Sequence, residues 1–142
     1  MMLENKVALI TGAGQGVGQG IALALAKHGA KVAVLGRTVS KLEETARQIE
    51  ERGGQALVVH GDVKKAESLE SAVSQVVAKW GGLQILINNA QEVPLGSLLS
   101  VSEEALEAGW QSGPLATLRL ICLLYTSPSP RDQRGSRMPS SA

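Results

Sequence analysis

Cysteine is almost absent from this sequence: Cys122 is the single example in 142 residues. One thiol excludes an internal disulfide, and nothing around it has metal-ligand spacing. Phenylalanine is missing altogether and aromatics make up 2% of the chain. A core must therefore be assembled from Val, Ile, Leu and Ala, the composition of parallel strands covered by helices. The N-terminus, Met-Met-Leu-Glu-Asn-Lys, carries an acid, and the apolar run after it is broken too early by glycine to be a secretion signal or a membrane span. A cytoplasmic protein is expected. Charge of one sign is lacking too: through Ile121 there are 11 Lys/Arg against 12 Asp/Glu. A neutral body gives no basis for binding nucleic acid or an anionic membrane surface.

What the chain has in quantity is glycine, 16 residues, concentrated between Thr11 and Gly20 in the run Thr-Gly-Ala-Gly-Gln-Gly-Val-Gly-Gln-Gly. An apolar strand pattern (Lys6 to Ile10) precedes this run, and a helical pattern with Val17, Ile21 and Leu25 on one stripe follows it, ending near Gly29. Such a strand-to-helix turn brings backbone close to a ligand without a Cβ in the way. It also aims the free N–H groups and partial positive charge of a helix start at the same point, which suits a phosphate.

Further along, strands are expected at Lys31 to Leu35, Gln55 to His60 and Leu83 to Ile87. Between them lie a helix opened by a Ser40/Glu43 capping box, with Leu42, Ala46 and Ile49 buried, and a helix with Leu69, Val73, Val76, Val77 and Trp80 on its buried side. Pro94 and Gly96 mark a loop, and Ser102 caps a fourth helix with Glu103 and Glu104 in its first turn. Strands alternating with helices over short loops predict βαβ units and a doubly wound, Rossmann-like α/β sheet. That sheet would end after about four strands and four helices.

Composition changes abruptly after Ile121. Residues 122–132 and 136–142 match the in-frame translation of two ends of a transposase-based sequencing adapter, with room for a sample index between them. The expected organisation is a partial nucleotide-binding domain over residues 1–121 and an adapter-derived or disordered tail over 122–142. Unrelated codons in the nucleotide read would contradict the adapter origin.

Neither Gly-x-Gly-x-x-Gly nor the triphosphate loop ending Gly-Lys-Ser/Thr fits the glycine run. What fits is Thr11-Gly12-x-x-x-Gly16-x-Gly18, with Asp62-Val63 after the third strand and Asn88-Asn89-Ala90 after the fourth. In this order the motifs resemble the short-chain dehydrogenase/reductase family, from Lys6 to about Leu120. The resemblance implies that Gly12 makes the tight turn, Gly16 admits the cofactor pyrophosphate and Gly18 lets helix and strand pack closely, with Gln15 and Val17 adding backbone contacts. Asn89 and Ala90 would lie beside the cofactor and Asn88 would brace the sheet.

At the end of the second strand, where an acid would accept from ribose hydroxyls, stands Gly36, followed by Arg37. A guanidinium can pair with a 2′-phosphate for about 1.5 to 3 kcal/mol, which points to NADP(H) rather than NAD(H). The alternative is a solvated arginine at a strand end. Asp62 is either an N-cap or, with Val63, a contact to the adenine. His28 suits a helix C-terminus, His60 lies near the adenine position, Trp80 and Trp110 fall on core stripes, and the Glu43-Glu44 and Glu103-Glu104 pairs are solvated faces.

Two positions depart from the family pattern. Gln91 replaces the usual Gly, and Gly113-Pro114 stands where an Asn is common. The family's upstream Ser and Tyr-x-x-x-Lys, which act on the substrate carbonyl, have no counterpart: Tyr125 is followed four residues later by Ser129. No catalytic residue and no metal ligand is therefore assigned. The resemblance implies the cofactor half of a homo-oligomeric oxidoreductase acting on a small-molecule carbonyl or secondary alcohol, inactive by itself and prone to aggregate at an uncovered fourth strand. A non-catalytic NADP(H)-binding sensor or scaffold of the same fold is the alternative.

Overall fold

The apolar runs form one parallel sheet in a computed structural model that describes residues 1–126. Strands β1 (Val7–Thr11), β2 (Lys31–Gly36), β3 (Gln55–His60) and β4 (Ile85–Ile87) lie in the order β3-β2-β1-β4. Val7 pairs with Lys31, Lys31 with Gln55 and Ala8 with Ile85, all in parallel register. Helices α1 (Gly16–Lys27), α2 (Val39–Glu51) and α3 (Ala66–Trp80) join successive strands, and α4 (Glu103–Trp110) and α5 (Ala116–Thr126) follow β4.

Side chains alternate along each strand, so residue parity divides the core into two layers. Leu9, Ala33, Leu35 and Val59 pack with Leu69, Val73 and Val76 of α3 and with Ala116 and Leu120 of α5. Ile10, Val32 and Val34 face the other way, onto Ala22 of α1 and onto Leu42 and Ile49 of α2. Helices on both faces of a parallel sheet make this the doubly wound, Rossmann-like architecture. Among the described residues β4 pairs only with β1, leaving its far edge uncovered.

Several local expectations are corrected. On α1 the fully buried positions are Gly18 and Ala22; Leu25 of the expected stripe packs partly buried against the same layer, while Val17 is 71% exposed, and at Gly18 the helix lies so close to the turn that no Cβ fits. The chain has two residues between β2 and α2, so Thr38 takes the N-cap position and Ser40 and Glu43 fall inside the helix rather than in a capping box. Strand β4 starts at Ile85 instead of Leu83 because the Gln84 side chain takes over the ladder. Its Oε1 accepts from the Val7 N–H at 2.8 Å, while the Gln84 N–H donates to the Val7 carbonyl at 3.0 Å.

Ser102 does cap α4, its hydroxyl accepting from the Ala105 N–H at 3.1 Å. Trp80 packs against the core, whereas Trp110 is 56% exposed. Between α4 and α5 the helix passes through a π turn, Gln111–Leu115, which contains Pro114. Proline has no N–H to give to the α-helical ladder, and here the Ala116 N–H reaches back to the Gln111 carbonyl, absorbing the defect as a wider turn. Helix α5 runs on through the composition break at Ile121, with Leu123 partly buried against the core. The rest of the tail assigned to residues 122–142 lies outside the described residues.

Candidate functional site

Strands β2 and β3 lie on one side of β1, and β4 on the other. At the carboxyl ends of such strands the outgoing loops diverge and open a crevice, the usual ligand position of open α/β sheets. Here it is a cleft of about 440 Å³. Nine of the ten residues singled out from the sequence line it: Gly12, Gln15, Gly16, Val17, Arg37, Asp62, Val63, Asn89 and Ala90. Gly18 is buried beneath the turn.

The glycines are held in different ways. A Cβ at Gly18 would sit 2.2 Å from the Gly12 carbonyl oxygen and 2.5 Å from Asn89 Nδ2, so only hydrogen fits there. Gly16 has φ +57°, and a Cβ there would meet nothing within 4 Å, so its constraint is backbone conformation on an open wall. Thr11 ties the turn to β4. Its hydroxyl, 2% exposed as a residue, accepts from the Asn89 and Ala90 N–H groups at 3.0 and 2.9 Å. Asn89 Nδ2 returns a bond to the Gly12 carbonyl at 3.1 Å. On the other side Thr45, fully buried, donates to the Ala13 carbonyl at 3.0 Å and accepts from Gln19 Nε2 at 3.1 Å, fastening the turn to α2.

The start of α1 is left open toward this cleft. Gln15 at the N-cap position makes no side-chain cap bond, and the first turn contains no acid. The Gln15 amide oxygen instead accepts from Lys41 Nζ at 2.5 Å. Backbone N–H groups without a side-chain cap, the partial positive charge of a helix start and a nearby ammonium favour an anion. The donor set and the open wall at Gly16 fit a pyrophosphate.

Farther along the cleft Arg37 NH1 faces Glu92 Oε2 at 3.5 Å, and Lys64, which is not itself part of the lining, places Nζ 2.5 Å from the same oxygen. Asp62 is not an N-cap, since α3 begins at Ala66 with Lys65 in the cap position. Its Oδ1 accepts from the Lys64 N–H at 3.0 Å, shaping the loop after β3. His60 is exposed at the end of β3 and is not part of the cleft lining, and His28 is the exposed C-cap residue of α1.

Lys41, Glu92 and Ser112 also line the cleft and were not anticipated. Lys41 carries a faint sequence signal, being four residues beyond Arg37 in the first turns of α2. Ser112 carries none: the π turn buries it, and its hydroxyl accepts from the Glu92 N–H at 2.7 Å. The two departures from the family pattern meet here as well. A Cβ at Gly113 would lie 3.1 Å from Gln91 Nε2 and 3.3 Å from its Cδ, so the Gln91 amide occupies the space that a side chain at 113 would need.

Comparison with known proteins identifies the family and the fold. The sequence model of the family described as short chain dehydrogenase matches residues 6–119. An uncharacterized oxidoreductase of Thermotoga maritima is 43% identical over 104 residues, covering 73% of this chain and 41% of that protein. The short-chain dehydrogenase/reductase homolog YusS of Bacillus subtilis is 38% identical over 108 residues, covering 73% of this chain and 99% of that protein. Among solved structures, a metagenomic short-chain oxidoreductase in complex with NADP aligns with a TM-score of 0.84 and 28% identity, over 88% of this chain and 57% of that one. The chain thus spans roughly half of that structure and less of the Thermotoga relative, whereas YusS is matched almost throughout.

Proposed function

Because the chain belongs to the short-chain dehydrogenase family, we propose that its cleft holds a nicotinamide dinucleotide, NADP(H) in preference to NAD(H). The observation that carries the reading is the uncapped start of α1, walled by Gly16 and opening onto the cleft. The first-turn N–H groups would take the pyrophosphate, with Lys41 adding charge. Asp62 and Val63 would line the adenine, Asn89 and Ala90 the ribose beyond, and Arg37 the 2′-phosphate. When bound, the nicotinamide supplies or accepts the hydride in exchange with a carbonyl or secondary alcohol of a small molecule. This chain's share is to bind and orient it.

The test of cofactor choice is Arg37→Asp. The preference for NADPH over NADH should fall by about tenfold or more, as expected for loss of one charge-assisted bond and gain of a like charge. An unchanged ratio of dissociation constants would contradict the assignment. A binding-only role is favoured by one observation, the Gln91 amide packed over Gly113 where the family often carries an Asn. Recovering the gene beyond Ile121 separates the two readings, since an oxidoreductase requires the Ser and the Tyr-x-x-x-Lys.

A further inference from the structure

Three loops of opposite sides of the sheet converge on one oxygen atom. Arg37 follows β2, Lys64 follows β3, and Glu92 follows β4 at the far edge, yet Glu92 Oε2 lies 3.5 Å from Arg37 NH1 and 2.5 Å from Lys64 Nζ. The backbone behind each end is fastened. The Glu92 N–H donates to the buried Ser112 hydroxyl at 2.7 Å. The Lys64 N–H donates to Asp62 Oδ1 at 3.0 Å, and the Lys64 carbonyl accepts from Arg119 NH1 at 3.4 Å. Lys64 is the most enclosed of the charged groups, with its side chain 24% exposed, against 36% for Glu92 and 61% for Arg37.

Two cations on one carboxylate leave a net positive charge. A phosphate dianion in the same place would neutralise it and offer three oxygens in place of two. We propose that Glu92 is a built-in placeholder for the 2′-phosphate of the dinucleotide: it holds Arg37 and Lys64 convergent, and the phosphate displaces it and is bound by both cations. The proposal deepens the NADP(H) reading and rests on it. It gives Lys64 a phosphate-binding role and makes Glu92 a determinant of how strongly the 2′-phosphate is selected. Partly exposed ion pairs are weak, so a bound phosphate can displace the carboxylate readily, and the selectivity lost to competition is correspondingly modest.

The test uses two probes that differ only in the 2′-phosphate, adenosine 2′,5′-bisphosphate and adenosine 5′-monophosphate, titrated calorimetrically into the full 142-residue chain at 0.15 M salt. The quantity read is the ratio of their dissociation constants. Glu92→Gln should widen the ratio in favour of the bisphosphate by about two- to fivefold, the range of an exposed ion pair. Lys64→Met should narrow it by at least as much. Glu103→Gln, which removes an acid outside the cleft, should not alter it. A wild-type preference for the bisphosphate that neither Glu92→Gln nor Lys64→Met changes overturns the placeholder and leaves the Arg37 reading standing. Equal binding of both probes by wild type and by Glu92→Gln overturns both. Equal widening by Glu103→Gln reduces the effect to overall charge and overturns the placeholder.

Discussion

The side-chain amide of Gln91 lies against Gly113, with Nε2 3.1 Å from the point where a Cβ would stand. The two residues are therefore coupled: a larger residue at 113 requires the amide to move. Gly113→Ala gains helix propensity of about 1 kcal/mol but displaces Gln91 by a few tenths of an ångström. We expect it to be nearly neutral alone. In a Gln91→Ala background it should stabilise, giving a coupling of about 0.5 kcal/mol or more in urea unfolding. Additive effects would mean that the contact is loose.

Two glycines of the same helix should respond in opposite directions. At Gly18 a methyl group would lie 2.2 Å from the Gly12 carbonyl oxygen, a backbone atom that cannot step aside, whereas at Gly20 it would meet nothing within 4 Å. Gly18→Ala is expected to destabilise by about 3 kcal/mol or to prevent folding. Gly20→Ala should stabilise by about 0.5 to 1 kcal/mol through the smaller entropy of the unfolded chain. Thermal unfolding of the two variants makes the comparison, and equal midpoints would contradict the packing at Gly18.

Thr11→Val keeps the shape and removes the oxygen that accepts from the Asn89 and Ala90 N–H groups. Both donors are part-buried, so the loss should cost about 2 kcal/mol. The ends of β1 and β4 should also exchange amide hydrogens faster, beginning at Asn89 and Ala90. Unaltered exchange there would show that the threonine does not hold the turn.

On the exposed face of α2, Arg47 donates to both carboxylate oxygens of Glu44, at 2.5 and 2.8 Å, and also reaches Glu51. The hydrogen bonds from Arg47, helped by Gln48, hold the Glu44 carboxyl at about 2, below its ordinary 4.5. A depressed carboxylate pKa contributes stability that is present above about 4.5 and is lost as pH falls toward 2. Carbon-detected titration should place the Glu44 midpoint near 2 and Arg47→Gln should return it toward 4.5. With both partners in water the effect on overall stability is small.

Strand positions and the buried stripes of α2 and α3 were legible because each leaves a local mark, β-branched runs or helical spacing, and the glycines before a helix marked the turn; Arg37, Asp62, Val63, Asn89 and Ala90 were reached through the family resemblance. The Val17 stripe misled because periodicity registers hydrophobicity, and the closest approach to the sheet is made by Gly18, which has none. Gln84 shortened β4 through a side chain that imitates backbone. Ser112, Glu92 and Lys64 were not legible as a group. They are distant in sequence, and only the π turn at Pro114 and the parallel register bring them together around Glu92.

Binding of NADPH to the chain itself tests the central claim most directly. Calorimetric titration should give one saturable site. Gly16→Ala, which puts a Cβ on the cofactor wall and strains a backbone held at φ +57° without meeting any neighbouring atom, should weaken it about tenfold or more while the far-ultraviolet circular dichroism stays that of the wild type. A folded wild-type chain that shows no saturable binding, or a Gly16→Ala variant that binds NADPH equally well, would contradict the assignment of this turn as the dinucleotide site.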